Sequence, residues 1–573
     1  MEKTSNNENR IFNRDPERKF FEEEGSSRAI TSGSLSMMFA LIGSTCIWLF
    51  MILATGWDGL QYFGLTSAIN GITGIFGMGI QRYFIVEIKE AQTINMGLAK
   101  IKATVYSKLL LIVGIILGFI LIIGGLVLGM LLNNELLQIC LIASGIYTFF
   151  GYTHAVFFSG LEVKNRYDIL AFLSIFGGIF LLIWAYLFII YEWNPIWFAF
   201  HPFFNIPTIF LMFYFFHKHA DYSFKDILKM RLSTKSMIKK STQDVHVGIK
   251  NKQVRLFLKN SIFSMLINME SLGLFGHLFV FFTAFYIWIF FPAFQGVAVS
   301  LITIIMIYGA VKTVILYYSA PLNNECAEAQ CKDFHDIIED SINNSARVSS
   351  IFAMAFIVGM IALSSEILLL LHRNFFYSGE IFDSELFYTA QILFIMIIFG
   401  QFAYGYATLF GNALIGAQKP RYAAIGFGIT AIIIIVGSPL CIYLFGLLGV
   451  GIIMIISNLF LLPYILIQLK KQLNIKLHFK LGRLAPNMII FFLVIVLIPF
   501  QGIEGLLFKM VMGAVIYMVL NPFFGVNIPE DIKVIYDVFK TIKLKPLGTL
   551  IAYSLKASYN ISPFNKDKIN LKI

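Results

Sequence analysis

The chain is cut into about fourteen apolar stretches of bilayer-crossing length, and its basic residues are sorted to one side of them. The stretches run at 33–55, 60–86, 105–132, 136–160, 169–191, 195–217, 262–290, 294–319, 347–371, 387–416, 422–444, 446–469, 484–500 and 503–524. With the first residue placed inside, all of the 44 Lys and Arg except Arg373 and Lys509 fall in or near the inside connections. The opposite connections are short and almost uncharged: GWDG, NNE, EWN and FPAFQ. Only Arg373 and the acidic SGEIFDSE make a longer outer loop. Basic loops are costly to translocate, so the sorting predicts a multi-pass protein of the cell membrane with both ends cytoplasmic. A soluble domain carries roughly 25% charged residues. Here 58% of residues are hydrophobic and 13% charged, which excludes that class. The net charge of +11 is a topology signal. No basic, aromatic-studded soluble face suggests nucleic-acid binding.

Little points to metal or covalent chemistry. Cys46, Cys140 and Cys441 lie inside apolar spans, and Cys326, Cys331 and His335 share a predicted inside loop without zinc-site spacing. Neither a metal nor any other cofactor is expected, and no Gly-rich phosphate loop or nucleophile elbow is present. Residues 1–32 are polar and mixed in charge, as in a disordered cytosolic tail. Segment 218–259 carries eleven cations, with Phe224, Leu228 and Leu232 spaced i, i+4, i+8. That spacing suits a basic amphipathic helix on anionic membrane lipids; a solvated linker is the alternative. Phe334, Ile337, Ile338 and Ile342 form a similar stripe, and Pro529, Glu530 and Asp531 suit a helix start before Ile532, Ile535, Tyr536 and Phe539.

The chain also repeats itself. GIQR at 79–82 matches GAVK at 309–312, an offset of 230, and GLEVKNRY at 160–167 matches GAQKPRY at 416–422, an offset of 255 at its Arg-Tyr end. Both matches close corresponding spans, so spans one to six pair with seven to twelve. Six is even, which makes the repeats parallel. The expected fold is an all-α integral membrane protein with about fourteen transmembrane helices. Two six-helix lobes surround a central cavity and a further helix pair follows, a transporter architecture. The predicted segments are a tail at 1–32, lobes at 33–217 and 260–471, the linker at 218–259, a helix pair at 484–524 and a cytosolic tail at 525–573.

The stretch GLTSAINGITGIFGMGIQRYFIVE (64–87) resembles the polysaccharide-exporter arm of the multidrug/oligosaccharidyl-lipid/polysaccharide (MOP) superfamily, flippases for lipid-linked oligosaccharides. APL (320–322), ALIGAQKPRYAAI (413–425), FGLLGVGIIMIISN (445–458) and IPEDIKVIY (528–536) resemble it too. Fourteen spans are also more similar to this arm than to drug exporters, which usually have twelve. The Pro-rich opening of span seven is missing, and Glu270 stands in its inner part. The resemblance implies a monomeric flippase, not an enzyme, with a polyprenyl-pyrophosphate-linked oligosaccharide as cargo.

Ionisable residues inside spans are expensive and are therefore functional candidates. Arg82 and Lys312 are mates under the repeat. Either they snorkel, or they form a cationic mouth for the pyrophosphate. Glu270, whose counterpart in the first lobe is Ala40, is a candidate coupling or gating carboxylate, with Lys312 as its expected partner. His154 and His277 are candidates for H⁺ or Na⁺ coupling, and His201 is a weaker one, set beside Pro202. Asn70, Gln391, Gln401 and Asn412 either line a sugar-binding cavity or join helices. Two alternatives remain open: a drug/cation antiporter, which predicts a first-lobe cavity acid that span one lacks, and a membrane glycan polymerase or glycosyltransferase, for which the outer loops are short.

Overall fold

The computed structural model describes residues 32–34, 57–191, 194–229, 259, 286, 301–302, 305, 311–371, 376–378, 381–478, 481–500, 502–527, 529–541 and 545–565. Most of predicted spans one, seven and eight, and most of the basic linker, lie outside them. In the first lobe, α1 (Trp57–Ile94), α2 (Met96–Leu132), α3 (Glu135–Val163) and α4 (Tyr167–Ile190) are followed by a 3-10 turn (Pro195–Asn205), α5 (Ile206–His219) and the short α6 (Phe224–Lys229). The second lobe contains α7 (Val311–Cys331), α8 (His335–Ala362), α9 (Ser364–Leu371), a two-residue hairpin ladder, α10 (Ser384–Gly416), α11 (Pro420–Phe445) and α12 (Leu447–Leu473). Then come α13 (Leu484–Leu497), α14 (Gly502–Phe523), α15 (Pro529–Thr541) and α16 (Lys545–Ile561). Among the described residues, nine helices are long and apolar enough to cross a membrane. The protein is a multi-pass membrane protein.

Local chemistry sets the joints. Asn133 takes the left-handed conformation that ends α2, and Asn134 caps α3 by accepting from Leu137 N at 3.0 Å. The tripeptide NNE is therefore enough to reverse the chain. α2 and α3 then pack backbone to backbone: a Cβ on Gly118 would lie 2.9 Å from the Gly145 carbonyl, and one on Gly145 2.8 Å from that of Gly118. In a bilayer such close approach replaces the hydrophobic effect as the source of helix association.

The two matched span ends share a hydrogen-bonding pattern, one that also closes α2 and α7. At the end of α3, Arg166 N donates to Leu161 O and Asn165 N to Glu162 O; at the end of α10, Lys419 N donates to Leu414 O and Gln418 N to Ile415 O. Asn165 and Gln418 share the left-handed conformation, at φ 54° and 59°. These bonds correspond at an offset of 253, whereas Gly160 and Gly416, paired by letter, are 256 apart. Gly160 makes room for Phe216, whereas Gly416 lets α10 approach the α7 backbone at Asn323.

Three local features sharpen the sequence reading. The inside loop of Cys326, Cys331 and His335 is the α7–α8 helical hairpin, turning at Asp333. In α6 it is Ile227 that is buried, while Leu228 is 59% exposed, because Phe224 packs on Phe157 and Phe213 and fixes the rotation. Lys509, an exception to the charge sorting, does not stand alone: its ammonium on α14 pairs with Glu366 on α9. The α13–α14 hairpin is bound to the second lobe, for Tyr517 also donates to Ile351 O of α8 at 2.8 Å.

Candidate functional site: a polar gate between the lobes

Helices α1 and α2 continue as helix well past their apolar cores and meet at one non-helical residue, Asn95. Their polar ends carry charges that a loop would have left in solvent. Glu87 of α1 and Lys102 of α2 form a buried ion pair at 2.6 Å. Glu162, fully buried near the end of α3, accepts from Gln81 Nε2 at 3.2 Å.

The second lobe closes on this surface through α7. Its Asn-Asn-Glu run, 323–325, is buried. Asn324 Nδ2 donates to Tyr167 Oη at 2.6 Å and to Glu162 O at 3.3 Å, and lies 3.4 Å from Asn165 Oδ1. A turn further along, Glu328 faces Lys89 of α1 at 3.9 Å. The proximity is also electrostatic. Burial raises the Glu90 carboxyl above its usual range, Glu87 adds to the shift, and Lys102 opposes it. Burial, reinforced by Glu90, Glu328 and Asp333, pushes the Cys331 thiol up to about 11. Acids and bases from three helices of one lobe and one of the other thus interlock where the basic connections lie. Across the lobes the described polar links are the neutral hydrogen bonds of Asn324 and the long Lys89–Glu328 pair, individually weak contacts.

The candidates read from sequence are dispersed. Arg82 lies on α1 directly after Gln81, and Lys312 is the second residue of α7; their side chains lie outside the described residues. Glu270 and His277 lie outside them altogether. His154 stands on α3 with its ring 6.0 Å from that of Phe158. His201 is held by Ser67 Oγ at 3.2 Å and Phe198 O at 2.9 Å, against Phe63. The main-chain carbonyl of Asn70 accepts from Thr73 Oγ1 at 3.1 Å. Gln391 links α10 to Ser364 at 3.2 Å, Asn412 donates to Thr408 O of its own helix at 3.0 Å, and Gln401 is fully buried on α10.

Sequence reasoning passed over Glu87, Lys89, Lys102, Glu162, Asn324 and Glu328 as gate residues. A signal existed. Glu87 and Glu162 each close an apolar helix with an acid on the side where cations dominate.

No protein-family model matches the sequence, and no curated protein matches it. Solved structures do match, over most of the chain. A lipid II flippase, MurJ, in an inward closed conformation is 17% identical, with 86% of this chain and 98% of that one covered at a TM-score of 0.54. An outward-facing multidrug resistance MATE family transporter of the MOP superfamily is 15% identical, covering 79% and 97% at 0.55. A MOP superfamily transporter from Pyrococcus furiosus is 12% identical, covering 79% and 99% at 0.57.

Proposed function

We propose that this chain, whose fold is shared with transporters of the MOP superfamily, moves a polyprenyl-pyrophosphate-linked oligosaccharide from the cytoplasmic to the outer leaflet of the cell membrane. It works by alternating access as a monomer. The observation that carries this reading is the gate: α7 of one lobe closed on α1 and α3 of the other through Asn324 and the Lys89–Glu328 pair. A gate made of separable polar contacts between two lobes is what alternate opening requires.

In the transport cycle the gate opens toward the cytoplasm, and the pyrophosphate enters between Arg82 and Lys312. Arginine suits a bidentate phosphate contact and lysine a point contact. The sugar passes Asn70, Gln391, Gln401 and Asn412. Glu270, His154 and His277 supply the coupling to H⁺ or Na⁺.

The test is flipping of a fluorescent lipid-linked oligosaccharide by the full chain in proteoliposomes. The Arg82→Ala, Lys312→Ala double variant is expected to lose at least about tenfold in rate while remaining inserted, the loss of one charge-assisted phosphate contact. Undiminished flipping by that variant removes the pyrophosphate role. Extrusion of cationic drugs with no lipid flipping replaces this reading with the antiporter.

A further inference from the structure

Helix α16 has two apolar faces, and the protein covers only one. Gly548, Ala552, Leu555 and Tyr559 are buried against α15 and α14. The contact is tight: a Cβ on Gly548 would lie 2.5 Å from Phe539 Cβ. At roughly 100° per residue, the opposite face presents Pro546, Leu547, Leu550, Tyr553, Ala557 and Ile561. Leu550 is 65% and Ile561 74% exposed. Lys545 and Lys556 fall along one border between the two faces. A soluble helix turns polar residues outward, and this one does not.

The exposed face is continuous with a surface that already meets lipid. The outer stripe of α14 (Leu507, Phe508, Val511, Val515 and Val519) is apolar and exposed along the spanning helix. At the end of that stripe, Ser558 of α16 donates to Val519 O at 2.6 Å, Ser562 donates to Phe523 O, and Asn565 donates to Pro522 O at 3.0 Å. Arg483 adds a bond to Gly525 O at 3.2 Å. These contacts fix α16 at the bilayer boundary, where α14 leaves it. Charge agrees: from Lys540 to Ile573 the sequence has seven lysines and a single acid, Asp567.

We propose that α16 is an interfacial anchor, lying on the leaflet at the basic end with its second apolar face among the acyl chains. Lys545 and Lys556 then contact anionic lipid headgroups. Apolar area sets the depth and the lysines set the preference for anionic lipid. The anchor does not depend on what the protein transports.

The experiment is spin labelling of the full chain in nanodiscs, with native cysteines replaced by serine. Labels at Leu550→Cys and Ile561→Cys are expected to be more accessible to oxygen than to a water-soluble nickel complex, and a label at Lys533→Cys on α15 the reverse. The oxygen preference should be greater in anionic than in neutral nanodiscs, by roughly fivefold in the bound-to-free ratio per lysine, and Lys545→Gln with Lys556→Gln should erase the difference. Nickel accessibility at Leu550 equal to that at Lys533 overturns the anchor. Spin–spin broadening at Leu550 overturns it in favour of a second copy of the chain. An oxygen preference indifferent to lipid charge overturns the headgroup contacts.

Discussion

The ammonium of Lys509 is buried on the side from which nearly all other cations are excluded, and Glu366 explains why it is tolerated there. Removing one partner of such a pair leaves an uncompensated charge, whereas removing both leaves only a packing change. Glu366→Ala should therefore cost about 2–3 kcal/mol, somewhat below the usual range of about 3–5 kcal/mol for a fully buried pair because Glu366 is partly exposed. The Glu366→Ala, Lys509→Met double variant should recover most of that loss. Thermal unfolding in detergent measures both. Glu90 gives a second test at this scale. Its carboxyl is raised by burial, with Glu87 adding and Lys102 opposing. The folded state therefore holds its proton more tightly than the unfolded state does. The sign follows: Glu90 adds stability as pH falls through its raised value, and the gain levels off below the ordinary value near 4.5. The advantage of wild type over Glu90→Gln in melting midpoint should accordingly grow between pH 7 and pH 4.5, and a flat difference would remove Glu90 from the account.

Between elements, the junction of α1 with α7 makes a prediction of its own. If Lys89 and Glu328 mark a gate that parts during each cycle, a short thiol crosslinker between Lys89→Cys and Glu328→Cys should stop transport, and cleaving the crosslinker should restore it. Transport that continues with the crosslink intact would mean that this contact never opens. Helix existence was legible in the sequence because apolar runs of spanning length admit few alternatives. Helix ends were not. α1 runs to Ile94 and α7 to Cys331 in polar sequence, since helix continues wherever side chains find partners, and Lys102 or Asn324 finds its partner on another helix. Pairings of that kind have no local signature. Lys89 and Lys102 therefore read as loop cations, and Lys509 as a stray. Conversely, Pro529 at the start of α15 was legible because the signal is local: proline at the first helical position gives up no needed hydrogen bond.

At the scale of the whole molecule, letters and hydrogen bonds at the matched span ends give different alignments. Letters paired Gly160 with Gly416, while hydrogen bonds pair the two helix ends 253 residues apart. Geometry at a cap is kept by the backbone, and Asn165 and Gln418 reach it with different side chains. The second lobe also holds its additions firmly. Arg347 of α8 forms a bidentate ion pair with the buried Asp531 of α15, so the final helices move with that lobe. The lengths of α1 and α2, 38 and 37 residues, have a mechanical consequence. Each is about 56 Å long against a hydrocarbon core of about 30 Å, and they join at a single residue, so together they form a lever with its short arm in the membrane. A tilt of about 10° about the middle of the bilayer carries the far tip roughly 7 Å, farther than an ion pair can stretch. Glu87 and Lys102 ride together on that arm, whereas Lys89 and Glu328 sit on opposite sides of the slip plane. A small rotation deep in the core would therefore separate Lys89 from Glu328 and leave the arm itself intact.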